Sequence, residues 1–162
     1  MKPRRLLAVL SATVAALAAA VFFFIWLDVA THRFARASEL GERAHQFPPF
    51  LPADASQLAT ASSLDSGAMN CRFEFGDERW MDGLRRAADR RPAGAHFLTG
   101  AEWDERLQAA VLPEELEAYC FFWPSGTGGW SGHWVRVAVD REHRVAWCWW
   151  DGPRVPECDV AG

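Results

Sequence analysis

His133-Trp134-Val135-Arg136-Val137-Ala138-Val139-Asp140 leads, across Arg141-Glu142-His143, into Arg144-Val145-Ala146-Trp147-Cys148-Trp149-Trp150. Two runs rich in β-branched and aromatic residues, joined by a short polar break, read as a β-hairpin. If Arg144 opens the second strand, Val135, Val137 and Val139 share a face with Val145, Trp147 and Trp149. Trp134 and Trp150 then lie on the opposite face.

Toward the N-terminus, Pro124 to Gly132 is a Gly/Ser-rich loop. Before it, Ala118 to Trp123 is a continuous apolar and aromatic run, the pattern of a central strand. Thr99 and Glu102 have capping-box spacing, and Trp103, Leu107, Ala110 and Val111 follow on one stripe, so a helix is expected up to Pro113. A second helix is expected from Asp77, its N-cap, to about Asp89, burying Trp80, Met81, Leu84, Ala87 and Ala88. Met69, Cys71, Phe73 and Phe75 alternate with Asn70, Arg72 and Glu74, which is a half-buried strand. A short strand is expected near Gln57–Ala61. The sum is an α+β fold, an antiparallel sheet of about four strands with two helices on one face.

The N-terminal part belongs to another solvent. Residues 1–27 hold 21 of the chain's hydrophobic residues, and Leu6 to Leu27 carries no charge. At about 1.5 Å per residue those 22 residues reach about 33 Å, enough for a hydrocarbon core of about 30 Å. Lys2, Arg4 and Arg5 precede it, so the N-terminus is expected in the cytoplasm and the rest outside. The expected division is a cytoplasmic tip at 1–5, a transmembrane anchor at 6–27, a stalk with a Pro-rich linker at 28–50, and a periplasmic domain at 51–162. The location is then the bacterial inner membrane, single-pass. A cleaved signal peptide, cut after Ala35-Arg36-Ala37, is the rival, but the apolar run is long for one and ends in bulky aromatics. Either way the domain is exported.

Without Lys2, Arg4 and Arg5, 14 basic residues face 21 acidic ones, leaving −7 on the exported part. That balance disfavours nucleic acid. All four cysteines lie beyond the apolar segment, and an even count in an oxidising compartment reads as two disulfides. Three pairings exist; Cys71–Cys120 and Cys148–Cys158 are preferred, the second because Gly152, Pro153 and Pro156 turn the chain between its ends. No metal site is expected, since no Cys/His spacing matches one, and no cofactor.

The opening Leu51-Pro52-x-x-Ala55-x-Gln57-Leu58, then Cys71-Arg72-Phe73-Glu74-Phe75 before a helix, then Val137-Ala138-Val139-Asp140 and Arg144-Val145-Ala146-Trp147, resembles a loose group of small exported bacterial proteins. Many of these are lipoproteins or single-anchor proteins without an assigned activity. The resemblance spans residues 51–150 and implies an exported α+β domain; it brings no catalytic residue. This chain departs from the lipoprotein members in having no cysteine just after its apolar run.

No catalytic set stands out. Ser131 and His133 share a loop but match no nucleophile elbow, and Ser125-Gly126-Thr127-Gly128-Gly129 lacks the lysine and following helix of a phosphate loop. Asp104/Glu105 and Glu114/Glu115 are sequence neighbours that point to different sides of a helix. His143 sits in a turn. The unusual feature is that six of nine tryptophans fall between 123 and 150. Trp130, Trp134 and Trp150 are the candidate binding residues, on a face that is an aromatic patch if left open. The expected function is a non-enzymatic, membrane-anchored periplasmic domain that binds an envelope protein, including a toxin neutralised by an immunity-type protein. The alternative is a carbohydrate or peptidoglycan-binding module using the same tryptophans.

Overall fold

The computed structural model describes residues 11–21, 29–63, 66–88, 91–92, 94–95, 97–98, 103–108, 111–124 and 132–150, with the backbone alone at Trp123, Pro124 and His133. Six strands form one antiparallel sheet: β1 (Val29–Arg36), β2 (Ser56–Ser63), β3 (Met69–Glu74), β4 (Glu117–Pro124), β5 (Gly132–Asp140) and β6 (Val145–Trp150). Their spatial order is β1-β2-β3-β6-β5-β4, so the β5–β6 hairpin lies inside the sheet and β1 and β4 are its edges. Among the described residues the helices are α1 (residues 11–21) and the short α2 (Met81–Ala87).

The expected fold of about four strands under two helices is therefore corrected. The described helical structure beyond α1 is α2 and short 3-10 segments. Asp77 does cap its helix, accepting the Arg79 amide at 2.9 Å, and a 3-10 turn at Glu78–Trp80 runs into α2. The helix expected from Thr99 to Pro113 reduces, among the described residues, to a 3-10 turn at Glu105–Gln108. Asp104 accepts the Arg106 amide at 3.0 Å, so its carboxylate starts a turn where a helix would need a residue in mid-course.

The expected transmembrane helix is also corrected. Residues 11–21 are helical, and no helix among the described residues is long and apolar enough to cross a membrane. The rest of the expected span, residues 6–10 and 22–27, lies outside the described residues, as do residues 1–5 and 28.

Of the stalk expected at 28–50, Val29–Arg36 is a strand of the sheet. Val29–Arg36 pairs with β2 from Val29↔Ser63 to Arg36↔Ser56. The chain then folds over one face through 3-10 turns at Ala37–Glu39 and Gly41–Gln46, burying Leu40 and Phe47.

Both faces of the sheet are covered. On one, Cys71, Phe73, Phe75, Tyr119, Phe121, Val135, Val137, Val139, Ala146 and Cys148 pack beneath Leu40, Phe47, Met81 and Leu84. On the other, Ala138, Val145, Trp147 and Trp149 pack beneath Ala95, Leu107, Leu112 and Leu116. A sheet buried on both sides explains why β4 and β6 read as nearly unbroken apolar runs.

The hairpin register differs from the expected one by a single residue. Val135 stands opposite Trp150, Val137 opposite Cys148, Val139 opposite Ala146 and Asp140 opposite Val145. Arg144 belongs to the turn, with φ of 54°, so the turn holds four residues where three were expected. A one-residue slip moves every side chain to the other face. Trp147 and Trp149 thus oppose Ala138 and Arg136, away from the valine stripe, and Trp150 joins that stripe.

Candidate functional site

The slip divides the expected aromatic patch. Trp150 is half-buried against the valine-face core, whereas Trp134, two residues before Arg136, is on the other face. Trp130 lies outside the described residues, as do Ser131 and the Ser125–Gly129 loop. Of the three candidates, Trp134 keeps an aromatic partner at the surface: its ring meets Phe122 edge to face, centroids 5.6 Å apart and planes at 69°. Phe122 is Trp134's cross-strand neighbour and is 47% exposed.

Local sequence explains this pair. In Tyr119-Cys120-Phe121-Phe122, alternation sends Tyr119 and Phe121 into the valine-face core and Phe122 to the other side. The cover over that side begins with Ala118, Leu116 and Leu112, nearer the start of β4, which leaves Phe122 in solvent. Phe122 is not among the sequence candidates, because a continuous apolar run has the pattern of a central strand; β4 is instead an edge, and the period of two alone turns Phe122 away from Phe121. β4 is an edge strand, so beside the pair the sheet ends in a strand paired on one side, with β5.

A second concavity lies near the other edge. Arg33, Phe34, Gln57, Leu58 and Arg72 line an open groove of roughly 400 Å³. Ala59 stands opposite Arg33 on one side and Arg72 on the other, and its small side chain leaves a dent between two long cations. The β2 bulge between Ser56 and Ala59 carries Gln57 at φ 47°, and Arg72 donates to the Gln57 carbonyl at 3.3 Å and to Glu74 at 3.1 Å. The groove is structurally braced and partly neutralised.

Two polar networks lock the hairpin end. Asp140 accepts the His143 amide at 3.0 Å, pairs with His143 Nδ1 at 2.9 Å and accepts Arg106 Nη2 at 2.9 Å. Arg106 also grips Asp104 and lies 5.8 Å from the Trp147 ring centre. His143, expected in the turn, is there, with its amide and ring on Asp140 and its side chain still largely exposed. Beside it, Arg141 bridges Glu78 and Glu117, and Glu117 also takes Arg85 and the Tyr119 hydroxyl. These contacts fix the turn and consume the carboxylates. The His143–Asp140 pair resembles half of a triad, but its carboxylate is spent on closing four residues of backbone.

Asp140 yields a pH prediction. Burial raises its pKa, but the His143 amide and imidazole and the Arg106 guanidinium outweigh burial and hold it at about 2. A carboxylate depressed in the fold contributes stability above its unfolded pKa of about 3.9, lost as pH falls toward about 2. Unfolding free energy should therefore drop by about 2 kcal/mol over that window. Asp140→Asn should flatten this segment; denaturant titrations at successive pH values measure it, and an unchanged slope would sink the assignment.

The expected bridges Cys71–Cys120 and Cys148–Cys158 are both absent, because Cys71 and Cys148 are free thiols in the core. The register places these two opposite each other on β3 and β6. Cys120, equally buried, is disulfide-bonded, and Cys158 lies outside the described residues. Among the described residues no group of three His, Cys, Asp or Glu side chains is placed to hold a metal ion.

No protein-family model matches this chain, and neither a curated protein nor a solved structure matches it.

Proposed function

We propose that this chain is an exported, non-enzymatic binding domain of the bacterial periplasm, and that it engages an envelope protein at the Phe122–Trp134 corner of the sheet. The observation that carries the reading is the exposed Phe122 ring against Trp134 on an edge strand. An exposed aromatic ring beside a second, partly buried one, on a strand that is the sheet's edge among the described residues, suits a protein partner, because the rings supply anchors and the edge accepts an added strand. The edge-to-face arrangement offers no shared flat platform, which favours a protein over a stacked sugar. Export is supported by the apolar segment at 6–27 behind a cationic start, and by the acidic remainder. The absence of catalysis is supported by the commitment of the Asp140–His143 pair to a turn. A toxin held by an immunity-type protein is one member of the partner class.

A photo-crosslinking residue at position 122 should trap a discrete protein in intact cells, and Trp134→Ala should reduce the yield by about tenfold if one aromatic anchor contributes about 1.4 kcal/mol. The same probe at Arg33 should not trap it. Equal yields at 122 and 33, or no effect of Trp134→Ala in a folded chain, would reject the surface. Co-sedimentation of the purified chain with cell-wall peptidoglycan, lost in Phe122→Ala, would instead favour the carbohydrate alternative.

A further inference from the structure

Cys71 and Cys148 occupy one register position of neighbouring antiparallel strands in the centre of the sheet. Both side chains belong to the same buried core, and neither is accessible. The ladder fixes their spacing. The Phe75 amide donates to the Arg144 carbonyl at 3.0 Å, and antiparallel pairs alternate between hydrogen-bonded and non-bonded. Counting back along the continuous register makes Phe73–Ala146 and then Cys71–Cys148 hydrogen-bonded pairs, whose Cα atoms stand about 5.5 Å apart. Disulfides span Cα distances of about 4.4–6.8 Å, so the bond forms with only a small approach of the two β carbons.

We propose that Cys71 and Cys148 are a cross-strand pair that closes into a disulfide as the chain folds in an oxidising compartment. The step balances as thiol–disulfide exchange. One thiolate attacks a sulfur of an oxidant disulfide, such as oxidised glutathione or an exported oxidoreductase, and releases one thiol. The second protein thiolate attacks the mixed disulfide and releases the other. Two electrons pass to the oxidant, and its two released sulfurs carry the protons.

The timing follows from burial. Once β3 and β6 are packed, no oxidant reaches either sulfur. Burial, and then the hydrogen bond to Cys71, push the Cys148 thiol well above its ordinary range, so the attacking thiolate is scarce. Closure therefore accompanies folding, and a chain folded reduced stays reduced. The proposal rests on the export reading only for where the oxidant is met.

The sequence makes the test direct, because trypsin places the four cysteines on separate peptides: 44–72, 107–136, 145–154 and 155–162. The full chain is refolded with oxidised glutathione or with excess reductant, and free thiols are blocked before digestion and mass spectrometry without reduction. Native tryptophan fluorescence reports folding in both arms. The expected result is peptide 44–72 linked to 145–154 after oxidising refolding. The chain refolded with reductant and then given oxidised glutathione should keep both thiols free. Linkage of 44–72 to 107–136 or 155–162, or free Cys71 and Cys148 after oxidising refolding, would overturn the proposal. Thiols are also trapped in intact cells. A pair reduced in cells that still closes in vitro upholds the pairing and counts against export.

Discussion

Trp149→Ala should cost about 4 kcal/mol of unfolding free energy, the range for deleting a fully buried large aromatic. Trp149 heads the fully buried side chains by size, on a central strand between β3 and β5. Its ring lies 5.9 Å from Phe97, which stacks on Trp103 at 5.0 Å. These rings join the sheet to a cover whose described residues hold a single 3-10 turn, Glu105–Gln108. Side-chain packing holds the described part of that cover, together with the Leu98 amide donating to Asn70 at 3.0 Å. Removing Trp149 leaves a cavity that the hydrogen-bonded strands beneath cannot collapse into. The Trp149 indole N–H has no hydrogen-bond partner among the described residues, so it adds burial cost without compensation. Trp149→Phe removes that unpaired donor with less loss of volume and should cost about 1.5 kcal/mol. Urea titrations followed by far-ultraviolet circular dichroism give both values. Equal costs for the two variants would show that ring volume is not what Trp149 supplies.

A chain beginning at Ser38, the product of cleavage after Ala35-Arg36-Ala37, should lose at least about 4 kcal/mol of stability or aggregate. That cut removes all of β1, which pairs with β2 along its length, and breaks the Phe34–Phe47 ring contact at 6.2 Å. Leu58, Thr60 and Ala61, now buried, would sit on a new and open edge. Uncovering large apolar side chains costs about 1.5–3 kcal/mol each, and the bare strand is a template for pairing with other chains. A chain beginning at Asp28 keeps β1 and should match the full chain within about 0.5 kcal/mol. Thermal melts and size-exclusion chromatography of both decide it. A Ser38 chain as stable and monomeric as the Asp28 chain would make β1 dispensable and cleavage there acceptable.

These two predictions fall on features with very different visibility in the sequence. β3 and β5 alternate in hydrophobicity, and β4 and β6 are apolar runs between turn residues, so each announces itself locally. Asp77 as a cap is equally local. β1 is different. Val29-Ala30-Thr31-His32-Arg33-Phe34-Ala35-Arg36 has little apolar area and no clean alternation, because an edge strand with an open side needs neither. It is a strand because β2 pairs with it. The stretch between 91 and 116 is equally hard to read locally, because a capping signal and an apolar stripe suit a helix, while Ala95, Leu107, Leu112 and Leu116 are placed by packing over the buried rings of Trp147 and Trp149.

The candidate site shows the same division. Trp134 stood out by composition, but which tryptophans share its face turned on one residue in the turn. Arg144 in a left-handed conformation makes a four-residue turn, with Asp140 closing it through the His143 amide and Arg106. Arg106 comes from 34 residues away. The facing of Cys71 and Cys148 is set by the same register, in strands separated by the entire α2 to β5 stretch.

The sequence by itself determined that the chain holds an antiparallel sheet with a hairpin near its C-terminal end, an apolar N-terminal segment and four cysteines beyond it. Those properties depend on period, composition and order along the chain. The tertiary structure alone decided that the sheet has six strands, that both faces are buried, that Trp134 and Trp150 part company and that Cys71 meets Cys148. Each of these depends on register between segments distant in sequence, and register is chosen by the energy of burying both faces at once.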